Sequence, residues 1–114
     1  MFDGSKELKS EIRDGIPWTN GDDELVTALP DDVCRRILHW IRTRLCPSEK
    51  VYRRYSSYGI KHMLEEEIGI YLTNNQFKHA MVIAGYMPED EHKLNWQFFL
   101  DPKSPTLQVE HNYW

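Results

Sequence analysis

At 114 residues, with 40% hydrophobic and 12% aromatic side chains, the chain is sized for one globular domain, which excludes general disorder. No apolar run approaches the roughly 20 residues of a membrane-spanning helix, and Met1, Phe2, Asp3, Gly4 and Ser5 lack the basic and apolar regions of a signal peptide. The net charge of −4 conceals an asymmetry: residues 1–30 carry seven acids and three bases, residues 35–61 eight bases and the single acid Glu49, and residues 63–114 eight acids and three bases. The basic middle suits phosphate, an acidic protein surface, or the chain's own acidic flanks.

Residues 1–24 form an acidic N-terminal arm. Leu8 and Ile12 suggest a short helix, followed by loop signals at Gly15, Pro17 and the Thr19, Asn20, Gly21 cluster. Ile16 and Trp18 either pack this arm onto the domain or leave it mobile. A single domain is expected over residues 25–110. Its first strong helix opens at Leu29, Pro30, Asp31 and Asp32, with either aspartate as cap and both complementing the helix dipole. Val33, Ile37, Trp40, Ile41 and Leu45 make its apolar stripe, and Cys46 before Pro47 ends it. Cys34 and Cys46, about 18 Å apart on such a helix, are too distant for a disulfide and read as reduced thiols of a cytoplasmic protein.

A basic, aromatic connector follows, holding Tyr52, Arg53, Arg54 and Tyr55. Ser56 or Ser57 can cap the next helix, about residues 58–68, which carries Ile60, Met63, Leu64 and Ile68 and stops at Gly69. Its acidic run, Glu65, Glu66 and Glu67, opposes the dipole at the helix end, so it is expected to be solvated or to meet connector bases. Thr73 and Gln76 then form a T-x-x-Q capping box, with Leu72 and Phe77 at the spacing of a hydrophobic staple. Phe77, Ala80, Met81 and Ala84 define one apolar face, and Gly85 and Pro88 end that helix. Leu94, Trp96, Phe98 and Leu100 alternate with Asn95, Gln97 and Phe99, the pattern of a half-buried strand, for which residues 70–72 or 106–109 are candidate partners. Residues 111–114 form an aromatic tail that either folds back or stays exposed. The expected fold is α+β: a three-helix core with a helix-turn-helix-like pair and a short C-terminal strand or hairpin.

No catalytic motif, phosphate loop or metal-ligand spacing is present. Cys34 and His39, for instance, diverge by about 140° around a helix. The expectation is a non-enzyme without cofactor or metal. Two binding readings remain. A winged-helix-like DNA-binding regulator would use residues 73–79, with Asn74, Asn75, Gln76 and Lys78 exposed and His79 following, supported by Arg53 and Arg54. A protein binder needs only exposed aromatics and a charge-patterned face.

The residues Tyr55, Ser56, Ser57, Tyr58, Gly59, Ile60, Lys61 and His62, then Thr73, Asn74, Asn75 and Phe77, then Ala84, Gly85 and Tyr86, then Asn95 and Trp96, make a SYGxKH…TNxxF…AGY…NW pattern. It resembles small proteins of phages and integrative mobile elements in Firmicutes, over about residues 50–105. The resemblance implies a mobile-element accessory protein in a bacterial host cytoplasm. Such a protein would bind and inhibit a host defence protein or protein–nucleic-acid complex, as anti-CRISPR proteins do. Together the readings nominate Arg53, Arg54, Tyr55, Lys61, His62, Asn74, Asn75 and Lys78 for partner contact, with Phe77 and Trp96 as core.

Overall fold

The computed structural model describes residues 25–109; the acidic arm and the aromatic tail lie outside the described residues. A 3-10 turn at Val26–Ala28 leads into α1 (Asp31–Arg44), β1 (Pro47–Val51), α2 (Ser57–Ile68), α3 (Asn74–Ile83), β2 (Phe99–Leu100) and a second 3-10 turn at Pro105–Gln108. The architecture is a small α+β fold, a three-helix core with a two-stranded antiparallel sheet at one side. Among the described residues no helix is long and apolar enough to cross a membrane.

The helix boundaries follow local chemistry. At α3 the Gln76 N–H donates to Thr73 Oγ1 at 3.0 Å, and the Thr73 N–H donates to Gln76 Oε1 at 2.9 Å, completing the capping box. Leu72 and Phe77, the staple pair, are both buried. Gly85, at φ +101°, lets its N–H reach the Val82 carbonyl and the Tyr86 N–H the Met81 carbonyl, the Schellman arrangement. Gly69, at φ +71°, closes α2 in the left-handed region. The serine and aspartate caps differ from expectation. Pro30 occupies the N-cap of α1, and Asp31 and Asp32 lie inside its first turn, where they complement the dipole without capping. Ser56 is the N-cap of α2 but its hydroxyl makes no cap bond, and Ser57 serves elsewhere.

The core joins Ile37, Trp40, Ile41 and Leu45 of α1 to Ile60, Met63 and Leu64 of α2. Phe77, Ala80 and Met81 of α3 pack with them, as do Trp96, Phe98 and Leu100 beyond it. The strand expectation is corrected in two respects. Leu94 is 78% exposed while Trp96, Phe98 and Leu100 are buried, so the inward alternation begins at Trp96. The pairing partner is the polar connector, with Pro47 opposite Leu100 and Val51 opposite Phe99, whereas residues 70–72 are irregular and 105–108 form the 3-10 turn. Flanking bonds extend the seam. The Tyr52 N–H donates to the Phe98 carbonyl at 2.8 Å, the Asp101 N–H to that of Cys46 at 2.9 Å, and the Ser57 N–H to that of Trp96 at 2.7 Å. Buried apolar side chains at residues 96–100 carry their peptide groups inward, and those groups need partners that the neighbouring connector supplies. On the other side Pro88 bridges Phe98, folding residues 88–98 into a hairpin-like return.

Candidate binding faces

Helix α2 has two working sides. Tyr58, Lys61, His62 and Glu65 recur at spacings of three and four and share one side. Glu67 lies nine residues after Tyr58, about 180° around the axis, and faces α1.

On the first side Glu65 is the organising group. Its Oε2 takes the Lys61 ammonium at 3.0 Å and the Leu72 N–H at 3.2 Å, and its Oε1 lies 3.0 Å from His62 Nδ1. The Leu72 bond fixes the chain just past Gly69 and so places Tyr71. The Lys61 ammonium sits 5.4 Å from the Tyr58 ring centroid and 5.3 Å from that of Tyr71. The His62 ring meets Tyr58 edge-on at 4.4 Å. Lys61 itself is nearly covered, with 5% of its side chain exposed, while Tyr58 is 50% and Tyr71 81% exposed. The outward surface of this cluster is therefore aromatic, and its charge is internally paired.

On the second side Glu67 accepts from Arg44 Nε at 2.8 Å, Trp40 Nε1 at 2.9 Å and Thr106 Oγ1 at 2.6 Å. Desolvation pushes its carboxyl up, but the bonds from Arg44, Thr106 and Trp40 outweigh that and hold it below the usual carboxylate range. The acidic run thus meets bases, as one expectation had it, but they come from α1 and from α2 itself rather than from the connector.

The remaining nominated residues are mostly engaged within the fold. Arg53 makes a two-pronged pair with Glu89 at 2.9 and 2.6 Å, which holds the Glu89 carboxyl below its ordinary range. The exposed Arg54 guanidinium lies 5.3 Å from the centroid of the half-buried Tyr55 ring. The buried Gly59 lies against that side chain: a Cβ there would meet Tyr55 Cβ at 3.4 Å, an ordinary van der Waals contact. Asn74 knots three segments: its Oδ1 accepts from Ser57 Oγ at 3.1 Å, and its Nδ2 donates to the Leu94 carbonyl at 3.1 Å and to Asn95 Oδ1 at 3.0 Å. Ser57 Oγ in turn accepts the Trp96 N–H. Asn75 is half-buried.

The placement of α3 corrects the expectation that Asn74, Asn75, Gln76 and Lys78 stand exposed: the two asparagines are half-buried and the other two are buried. Every residue from Gln76 through Val82 is buried, because α3 packs against α1, α2 and the 3-10 turn at Val26–Ala28. His79 Nδ1 accepts the Val26 N–H at 3.2 Å. Lys78 is fully covered, its ammonium 4.9 Å from the Trp96 centroid and 3.4 Å from the Lys93 carbonyl. Burial lowers its pKa to about 8. Among the described residues no three His, Cys, Asp or Glu side chains come together to hold a metal ion.

No family model, curated protein or solved structure matches the chain. Of the residues in the SYGxKH…TNxxF…AGY…NW pattern, Gly59, Asn74, Phe77 and Trp96 serve the fold, whereas Tyr58, Lys61 and His62 build the aromatic face. Sequence reasoning missed Tyr71, Leu94 and Glu65. The spacing of Glu65 from Lys61 and His62 was a usable signal. Tyr71 carried none, because its exposure depends on where the chain goes after Gly69.

Proposed function

We propose that the protein is a non-enzymatic binding protein that docks a partner protein through the Tyr58–Lys61–His62–Tyr71 face. In the setting implied by its motif, it is a phage or mobile-element accessory protein that inhibits a host defence protein or protein–nucleic-acid complex, in the manner of anti-CRISPR proteins. The observation that carries the reading is the pair of exposed tyrosines held around one internally neutralised lysine. Tyrosines with few free torsions and a fixed base lose little entropy on docking and are typical anchors of protein interfaces. Leu94, 78% exposed, is tied through Asn74 to Ser57 at the start of α2 and is a further exposed apolar side chain. With Lys61 and Glu65 already paired, the contact gains little from long-range attraction and should tolerate salt.

The test is affinity capture from a host lysate, with and without nuclease, using the native chain and Tyr58→Ala/Tyr71→Ala. A stoichiometric protein that survives nuclease and high salt, and binds the double variant at least about tenfold more weakly, supports the reading. That variant should also lose protection in a phage- or plasmid-interference assay. Capture of nucleic acid alone, falling steeply with salt, would sink it in favour of a DNA-binding regulator.

A further inference from the structure

The outward side of α1 carries a second feature, independent of the tyrosine face. Between α1 and the C-terminal end of α2 runs an open groove of about 660 Å³, within the size range of ligand sites. Trp40 and Ile68 contribute to its floor, and Arg35, Arg36 and His39 to its rim. These basic side chains differ in how far the fold occupies them. Arg44, also at the groove, is taken by Glu67. Arg36 gives one N–H to the Ile68 carbonyl at 3.0 Å, which caps α2 and anchors the guanidinium while leaving its other donors outward. The side chains of Arg35 and His39, one helical turn apart and both exposed, make no hydrogen bond or ion pair among the described residues.

We propose that this groove binds a short acidic segment of a partner polypeptide, with one apolar side chain over the half-buried Ile68 and flanking carboxylates on Arg35, Arg36 and the His39 ring N–H. Charge complementarity sets the sign of the occupant: Arg35 and Arg36 carry positive charge with donors to spare, and the floor beside them is apolar. Several features favour polypeptide over nucleic acid. The chain as a whole is at −4, which repels a long polyanion. Asp32 and Glu67 also line the groove, so a continuous run of phosphates would meet like charge, whereas carboxylates spaced along a peptide avoid it. The Trp40 indole is 3% exposed with its N–H committed to Glu67, which leaves no face on which a base can stack. The groove spans about three turns of α1, roughly 17 Å, which accommodates about five extended residues.

The experiment is fluorescence anisotropy on the full chain with fluorescein-labelled peptides of about six residues, Asp and Glu around a central Leu or Phe. The same peptides with a central Ala and a labelled oligothymidylate are compared. The Leu and Phe peptides are expected to saturate the protein below about 1 mM, with the Ala peptides weaker by about tenfold. Arg35→Glu/His39→Glu is expected to weaken the Leu and Phe peptides at least tenfold, about 1.4 kcal/mol. Those positions are exposed and internally unbonded, so an unchanged urea midpoint verifies that the variant is folded. Tyr58→Ala/Tyr71→Ala should leave this binding unchanged, so the groove and the tyrosine face can fail separately. Absence of saturation below about 1 mM for every peptide, indifference to the charge reversal, or tighter binding of oligothymidylate than of peptide would each overturn the proposal.

Discussion

Replacing Lys78 by methionine should stabilise the protein at neutral pH, and the gain should vanish in alkali. The native side chain is fully covered, and its ammonium has one long hydrogen bond to the Lys93 carbonyl and the Trp96 ring at 4.9 Å. A lysine whose pKa falls from 10.5 to about 8 on folding carries a cost of about 3 kcal/mol when charged. Methionine keeps most of the aliphatic stem and removes the charge, but forfeits a cation–π contact of about 1–2 kcal/mol. The net gain expected at pH 7 is about 1–2 kcal/mol. The unfolded chain holds this proton up to pH 10.5 and the native chain only to about 8. The unfolded state therefore binds more protons across that window, and native stability rises with pH through it. At pH 10 the native lysine is mostly neutral and the advantage of methionine should be lost. Tyr86, whose pKa burial pushes up to about 12, has the opposite sign and lowers stability above its ordinary value of 10, so measurements stay at or below pH 10. Urea unfolding followed by tryptophan fluorescence, at pH 7 and pH 10 with unchanged m, reads the effect. A Lys78→Met protein less stable than the native one by the same amount at both pH values would refute the reasoning.

Other changes test the remaining joints. Glu67→Gln should cost about 1–2 kcal/mol at pH 7, because Arg44 loses its charged partner while the bonds to Trp40 and Thr106 weaken. The lowered folded pKa of Glu67 makes its contribution present above the ordinary carboxylate range and lost as pH falls through the folded value. Urea midpoints of the two proteins should therefore converge in acid; a gap that widens there would contradict the assignment. Thr73→Ala removes the hydroxyl that accepts the Gln76 N–H and should lower stability by about 1 kcal/mol, with Thr73→Ser restoring most of it in the same assay. The two free thiols should react unequally with a chromogenic disulfide. Cys46 is exposed, whereas Cys34 is partly buried, donates to the Val26 carbonyl at 3.0 Å, and has its pKa raised by burial and by Asp31 and Asp32. A fast phase that persists in Cys46→Ser would count against that account.

How much was legible in advance depended on the range over which each determinant acts. The capping box of Thr73 and Gln76, the stops at Gly69 and Gly85, and the apolar stripe of α1 were readable because each depends on residues within about a turn of one another. The inward run from Trp96 to Leu100 was readable for the same reason, although its reach back to Leu94 was not. Its pairing with Pro47–Val51 was not legible, because those residues are polar and form a strand only where buried peptide groups elsewhere need hydrogen-bond partners. The candidate site divided in the same way. Lys61 and His62 were found by position on one helix face, and Glu65 joins them at the same periodicity. Lys78 and Asn74, polar residues at the head of a helix, looked like contacts for a partner. Packing instead encloses Lys78 under Trp96 and draws Asn74 into a knot with Ser57, Leu94 and Asn95. The sequence by itself therefore determined where helices start, stop and turn their apolar sides. Which polar side chains are enclosed, and which tyrosines are left facing outward, was decided only by tertiary structure, because burial depends on neighbours that are distant along the chain.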